Sequence, residues 1–152
     1  MNADIIRNLS LSHGALLESL NEVQPLARSY REAKPKLREL YRRLILFFGS
    51  EDGAFFEKLY AFYNEDRSST KMIDFLKQDL SQIKISFLAF FDAHSVETVD
   101  AHARSFPRDL ADFAGQILGR IRIEEEHLFP LLQKMSAANP PGSRWQTNSF
   151  LL

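Results

Sequence analysis

Apolar residues recur at alternating intervals of three and four along most of this chain, and that spacing constrains its fold more than any other feature. Such a rhythm paints one stripe along a helix, the seam by which it packs in a bundle. Only six Gly and six Pro punctuate the 152 residues, so the stripes run long and the class is all-α. The first segment, about residues 3 to 31, carries Ile6, Leu9, His13, Leu16, Leu20 and Val23 on one stripe, with Pro25 predicting a kink or local break. A second helix is expected to start near Pro35, which suits a first turn. It runs through Leu37, Leu40, Leu44, Phe47, Glu51 and Phe55 to about Tyr63. Gly49 and Gly53 weaken its middle by roughly 1 kcal/mol each relative to Ala. After the loop Asn64 to Arg67, Ser68 and Ser69 are the candidate caps of a third helix. Its stripe of Ile73, Leu76, Leu80, Ile83, Phe87 and Phe90 is wholly apolar.

The periodicity lapses from about Ser95 to Arg104, and Ser105 and Pro107 predict the entry to a fourth helix ending near Met135. Its stripe reads Leu110, Ala114, Ile117, Ile121, Glu124, Leu128 and Leu131. Four long amphipathic helices with short connections predict an antiparallel up-down four-helix bundle over residues 1–135. Residues 136–152, with Pro140, Pro141 and Gly142, form a Pro-containing C-terminal tail ending in Trp145, Phe150, Leu151 and Leu152. Those apolar side chains are expected either to cover a groove on the bundle or to await a partner.

Charge narrows the function. Nineteen Lys plus Arg against twenty Asp plus Glu give a net charge of −1, without the broad positive field that nucleic acids or anionic membranes require. Nucleic acid and membrane are therefore not expected partners. The absence of cysteine excludes disulfides, thiolate zinc sites and thiol nucleophiles. No run approaches ~18 consecutive apolar residues, and the start of the chain does not resemble a leader segment, so the expected location is the cytoplasm. No nucleophile triad, phosphate loop or acid–base constellation is visible, and an enzyme is not expected. Function must come from the few polar residues on apolar stripes: His13, Glu51 and Glu124.

Two of these belong to an internal repeat. Phe47-Phe-Gly-Ser-Glu51-Asp52-Gly-Ala-Phe55-Phe56 in the second helix matches Arg120-Ile-Arg-Ile-Glu124-Glu125-Glu126-His127-Leu128-Phe129-Pro130 in the fourth. Each has a lead residue, an acid pair four and five positions on, and two large apolar residues eight and nine on. This pattern resembles the hemerythrin-like, or HHE cation-binding, family, whose helices carry His-x-x-x-Glu-Glu followed by Leu or Tyr, Phe and Pro. The stretch Glu124-Glu-Glu-His-Leu-Phe-Pro-Leu-Leu132 carries the strongest likeness, which extends over about residues 9 to 133. His and Glu at i and i+4 share a helix face, and four such helices can surround two metal ions.

The resemblance implies non-haem iron binding, with oxygen or nitric oxide as ligand or signal. It sets His13 at the family's first-helix His and Glu51 and Glu124 at its two carboxylates. Phe47 and Arg120 fall on the two partnered His positions, and no His occurs between Asn64 and Ala93, so a conventional di-iron site is not expected. Each residue also has a plainer reading. His13 suits a hydrogen-bonded core histidine, and Glu51 and Glu124 suit hydrated positions at the bundle rim. Glu124-x-x-His127 has the spacing of ferritin-like di-iron ligands but lacks a second copy. His94 and His102 are expected to be solvated. Arg28, Arg31, Lys34, Lys36, Arg38, Arg42 and Arg43 form a basic cluster, read as a solvated face or as a docking patch for an acidic partner.

The favoured reading is a hemerythrin-like bundle that has lost its di-iron site, binds no cofactor, and acts as a regulatory or protein-interaction module with an unidentified protein partner. In that case inward-facing Glu51 and Glu124 need a cation, and Arg120 supplies it, forming a buried polar network with both and with His13. One alternative is a working metal site in which His13, Glu51 and Glu124 hold a single ion, non-haem iron included. The other follows from a second resemblance, to bacterial regulators of sigma D, through Arg120-x-x-x-Glu124-Glu125 and Phe56-Glu-Lys-Leu59; it implies a sigma factor as partner.

Overall fold

A computed structural model describes residues 2–94 and 100–138, with side chains from 4 to 94 and from 104 to 138. Those residues form α1 (Asn2–Val23), α2 (Tyr30–Ser50), α3 (Gly53–Phe62), α4 (Arg67–Ala93), α5 (Asp100–Ile123) and α6 (Phe129–Ala138). A widened helical turn, Glu124–Leu128, joins α5 to α6 in one continuous arm. The second arm is α2 followed by α3, so the bundle has four arms and no strand among the described residues. α1 packs beside α2 and α6, and α4 beside α5, in an antiparallel up-down arrangement. No helix among the described residues is long and apolar enough to cross a membrane. The tail residues Trp145, Phe150, Leu151 and Leu152 lie outside the described residues, as does the His102 side chain.

The apolar stripes meet in one core. Leu9, Leu16 and Leu20 of α1, Leu40 and Leu44 of α2, Ile73, Leu76 and Leu80 of α4, and Leu110, Ala114 and Ile117 of α5 are all buried in it. Burying each large aliphatic side chain contributes about 1.5–3 kcal/mol relative to exposure, which is why the stripe outweighs weaker local signals.

Those local signals correct several expected boundaries. α2 starts at Tyr30, not near Pro35, because the Ser29 side chain caps it by accepting from the Glu32 N–H at 3.3 Å; Pro35 lies inside the helix. The Pro25 break falls in a short tight turn, Gln24–Leu26. The expected second helix is divided at Glu51, where Asp52 caps α3 by accepting from the Phe55 N–H at 2.9 Å. α4 is capped by Asp66, not by Ser68 or Ser69, since the Asp66 carboxylate accepts from the Ser69 N–H at 3.1 Å. An ionised carboxylate is the stronger acceptor at a helix start, which favours it over the two hydroxyls that follow. α5 begins by Asp100, ahead of the expected entry at Ser105 and Pro107, with Pro107 inside it, and the last helix continues to Ala138.

Candidate functional site

Three helix irregularities or stripe interruptions converge at one level of the core. His13 interrupts the α1 stripe between Leu9 and Leu16 and is buried. Glu51 sits where α2 unwinds: its N–H still donates to the Phe48 carbonyl at 3.2 Å, but Asp52 has already turned the chain into α3. Glu124 opens the widened turn, in which the Phe129 N–H reaches back five residues to the Glu124 carbonyl. Pro130 accounts for that turn. It has no N–H to offer and its ring crowds the preceding carbonyls, a strain that an extra residue per turn relieves.

Arg120, one helical turn before Glu124, is the bulkiest fully buried side chain among the described residues. Its guanidinium ties the site together. Nε donates to Glu124 Oε2 at 2.8 Å, Nη2 to Glu51 Oε1 at 2.9 Å, and Nη1 to the Leu76 carbonyl at 2.8 Å and Asp79 Oδ2 at 3.1 Å. His13 Nε2 lies 2.6 Å from Glu124 Oε1, and Nδ1 lies 3.1 Å from Glu125 Oε2. Phe129 stacks on the imidazole with ring centroids 5.4 Å apart, and Phe47 packs against it at 6.0 Å. Glu51 and Glu124 therefore face inward and not the hydrated rim, at 1% and 0% exposure.

Electrostatics follow from the charge count. One guanidinium faces two fully buried carboxylates, and a second buried negative charge without a partner is expensive. Burial pushes the Glu51 carboxyl well above the usual carboxylate range; neighbouring Glu124 pushes the same way and Arg120 opposes. The Glu51 Oε2 atom is buried with no hydrogen-bond partner, a tenable position for a neutral carboxyl and a poor one for a carboxylate. Burial also raises Glu124, against the stabilising contacts with Glu51 and Arg120. Burial pulls the Arg120 guanidinium down, but the charges of Glu51 and Glu124 outweigh it and hold the group above its ordinary value. Burial lowers His13, with the Glu125 contact opposing. Both ring nitrogens of His13 face carboxylate oxygens, so a neutral ring donates to only one of them, and the raised Glu51 carboxyl favours holding a proton beside Glu124 and Arg120.

Asp79 and the Leu76 carbonyl are participants that the sequence did not flag. Asp79 lies one position before Leu80, beside a stripe that is wholly apolar, so its only signal is a flanking acid on α4. The other candidates fall elsewhere. His94 is buried at the end of α4, with Nε2 2.9 Å from Asp109 Oδ2 and its carbonyl accepting from the Tyr30 hydroxyl at 2.8 Å; this corrects its expected solvation. Phe90 and Phe106 pack on its ring, and a carboxylate across the α4–α5 gap makes that burial tolerable. His127 is exposed on the outer side of the widened turn, away from Glu124's inward carboxylate.

A family model for the hemerythrin HHE cation-binding domain matches residues 4–132. The chain belongs to that family. Searches among curated proteins and among solved structures found no match. In this hemerythrin-like domain Glu51 and Glu124 close on a guanidinium, and His13 on Glu124. Glu51 Oε1 and both Glu124 oxygens are taken up by Arg120 or His13, and a fixed positive charge already stands between the carboxylates. A metal ion there would have to displace the guanidinium or bind beside it against Coulomb repulsion. Among the described residues, no group of three or more His, Asp or Glu side chains is placed to hold a metal ion. The donor set in this arrangement does not fit the family's cation.

Proposed function

We propose that this hemerythrin-like domain has exchanged its metal centre for an internal ion cluster and serves as a regulatory or protein-interaction module, not as a catalyst or gas carrier. One observation carries the reading: Arg120 hydrogen-bonds both core carboxylates at 2.8 and 2.9 Å from the position where the family resemblance sets a ligand His. A guanidinium matches carboxylates through directed N–H donors and keeps its charge at any physiological pH. Phe47 fills the volume that a second imidazole would take. The bundle thus keeps its shape with its polar centre self-neutralised, and what it offers other molecules is its surface.

A second reading remains chemically specific because His13, Glu51 and Glu124 are already neighbours. With Arg120 swung aside, they would form a carboxylate-rich site suited to a single hard ion. Metal analysis of protein purified without oxygen from iron-replete growth, with an absorption spectrum, separates the readings. The ion-cluster reading expects iron far below one equivalent and no oxo-bridge charge-transfer band. About two equivalents with that band would restore the di-iron centre. About one equivalent, lost in His13→Ala, would select the single-ion site.

A further inference from the structure

The basic cluster between Arg28 and Arg43 divides by helix face. Lys36 pairs with Glu22 at 3.3 Å, and Arg42 and Arg43 pair with Glu39 at 2.5 and 3.0 Å. Arg43 also donates to the Ala15 carbonyl and the Ser19 hydroxyl, pinning α2 to α1. Lys34 and Arg38, on the side of α2 away from Lys36 and Arg43, make no ion pair among the described residues, and Arg42, one turn on from Arg38, is engaged with Glu39.

Lys34, Arg38, Tyr41 and Ile45 follow one another at i, i+4, i+7 and i+11, a single stripe of α2. Facing it on antiparallel α4 are Lys84, Leu88 and Phe91, also spaced i, i+4 and i+7. Aromatic rings hold the two helices together and form the floor between them. Tyr41 meets Phe87 at 5.2 Å and Phe91 at 5.1 Å, and Phe48 meets Phe87 at 5.2 Å. Lys84 lies over the Phe48 ring at 5.9 Å. The result is an open trough of about 330 Å³ at the Lys34 end, walled by Leu37, Tyr41 and Phe91 and rimmed by Lys34 and Arg38. No acid lines it. Exposed apolar surface continues the stripe beyond it: Ile45 is 46% and Leu88 64% exposed.

The geometry points to this α2–α4 trough as a docking site for an acidic amphipathic helix of another protein, whose large apolar side chains enter the trough while flanking Asp or Glu pair with Lys34, Arg38 and Lys84. This inference rests on the reading of the domain as an interaction module and names its surface and the class of its partner. Charge complementarity decides the occupant. Cations with no acid partner among the described residues stand on both walls of an aromatic floor, so an incoming carboxylate gains a partner without displacing one of these. Length agrees as well. Lys34 to Ile45 spans about 16 Å at 1.5 Å per residue, enough to seat apolar anchors at i, i+4 and i+7 on a partner helix, which span about 10 Å. The floor is recessed between two helices, which suits inserted side chains better than a flat lipid surface.

The test is fluorescence anisotropy of the full chain with a labelled helix-forming peptide of about 15 residues, carrying Leu and Phe at i, i+4 and i+7 flanked by Glu. The expected result is saturable binding that weakens as salt rises. Lys34→Glu combined with Arg38→Glu should weaken it about tenfold or more, while Lys36→Glu on the far side of α2 changes it less than about twofold. Circular dichroism and urea midpoints of these surface variants should match the parent, so that lost binding reports the trough. No saturable binding, equal binding of a peptide with Lys in place of Glu, or an equal loss from Lys36→Glu would overturn the proposal. So would binding to phosphatidylserine vesicles without peptide binding, or self-association of the chain abolished by Ile45→Glu. Iron content is blind to the trough. Failure of the peptide to bind therefore leaves the ion cluster standing, whereas stoichiometric iron would remove the cluster whatever the peptide does.

Discussion

Arg120 is held by four contacts on three partner side chains and one carbonyl, and the energetic consequence of removing it differs from that of removing the whole cluster. Arg120→Ala strands Glu51 and Glu124 in the core and should cost about 3–5 kcal/mol in urea unfolding, whereas replacing Arg120, Glu51 and Glu124 together by Met and Leu should cost far less or even stabilise. A loss below about 1 kcal/mol for Arg120→Ala would mean that water reaches the cluster. The raised carboxyl of Glu51 makes a separate prediction. Its folded form holds a proton more tightly than the unfolded chain, so stability is lost as pH rises from the ordinary carboxylate range through the folded value. Buried, neutral His13 acts with the opposite sign below its ordinary value, costing stability as pH falls. Glu51→Gln, which mimics the neutral carboxyl, should therefore flatten the decline as pH rises above the ordinary carboxylate range and leave the acid limb in place. Urea midpoints as a function of pH read both limbs; a parent protein as flat as Glu51→Gln on the alkaline side would show that Glu51 is ionised throughout.

The helices themselves were legible wherever a long stripe existed, because periodicity reports burial directly: the His13, Phe47, Ile117 and Leu128 stripes all lie where helices bury them. Their ends were not. Ser29, Asp52 and Asp66 act as caps through single hydrogen bonds, and nearby Pro35, Ser68, Ser69, Ser105 and Pro107 offered equally plausible local signals. A pattern spread over twenty residues outvotes one polar side chain, so the sequence names the stripe before the boundary. The internal repeat has a structural counterpart that its residues do not announce. The chain breaks at Glu51–Asp52 in one copy and widens at Glu124–Leu128 in the other, so each acid pair sits at a helix irregularity. Asp52 enforces the first. Asp52→Ala should cost about 1 kcal/mol, against about 0.5 kcal/mol or less for Ser50→Ala on the exposed side of the same break. Equal losses in urea unfolding would mean that the break is held by packing of Phe55 and Phe56 and not by the cap.

At the scale of the molecule, the fold and the family are those of a cation-binding bundle, while the chemistry at its centre is that of a buried ion pair. The residues of that centre could be named from their positions on the stripes, since a charged side chain inside an apolar period is conspicuous. Asp79 and the Leu76 carbonyl could not, because Asp79 flanks the α4 stripe without interrupting it and Leu76 is one of its apolar members. His94 was misplaced for a related reason: its partner Asp109 lies on a different helix, and sequence spacing says nothing about a contact between helices. The central claim is that the guanidinium occupies the role of the metal, and metal linkage measures it most directly. A ligand that binds only the folded state at about 100 times its dissociation constant stabilises by about 2.7 kcal/mol. Oxygen-free urea unfolding of the intact chain with excess Fe(II), and again with a chelator, should give the same midpoint in both. A midpoint that rises with Fe(II) and falls with the chelator would show that the core still binds its metal, and would contradict the account.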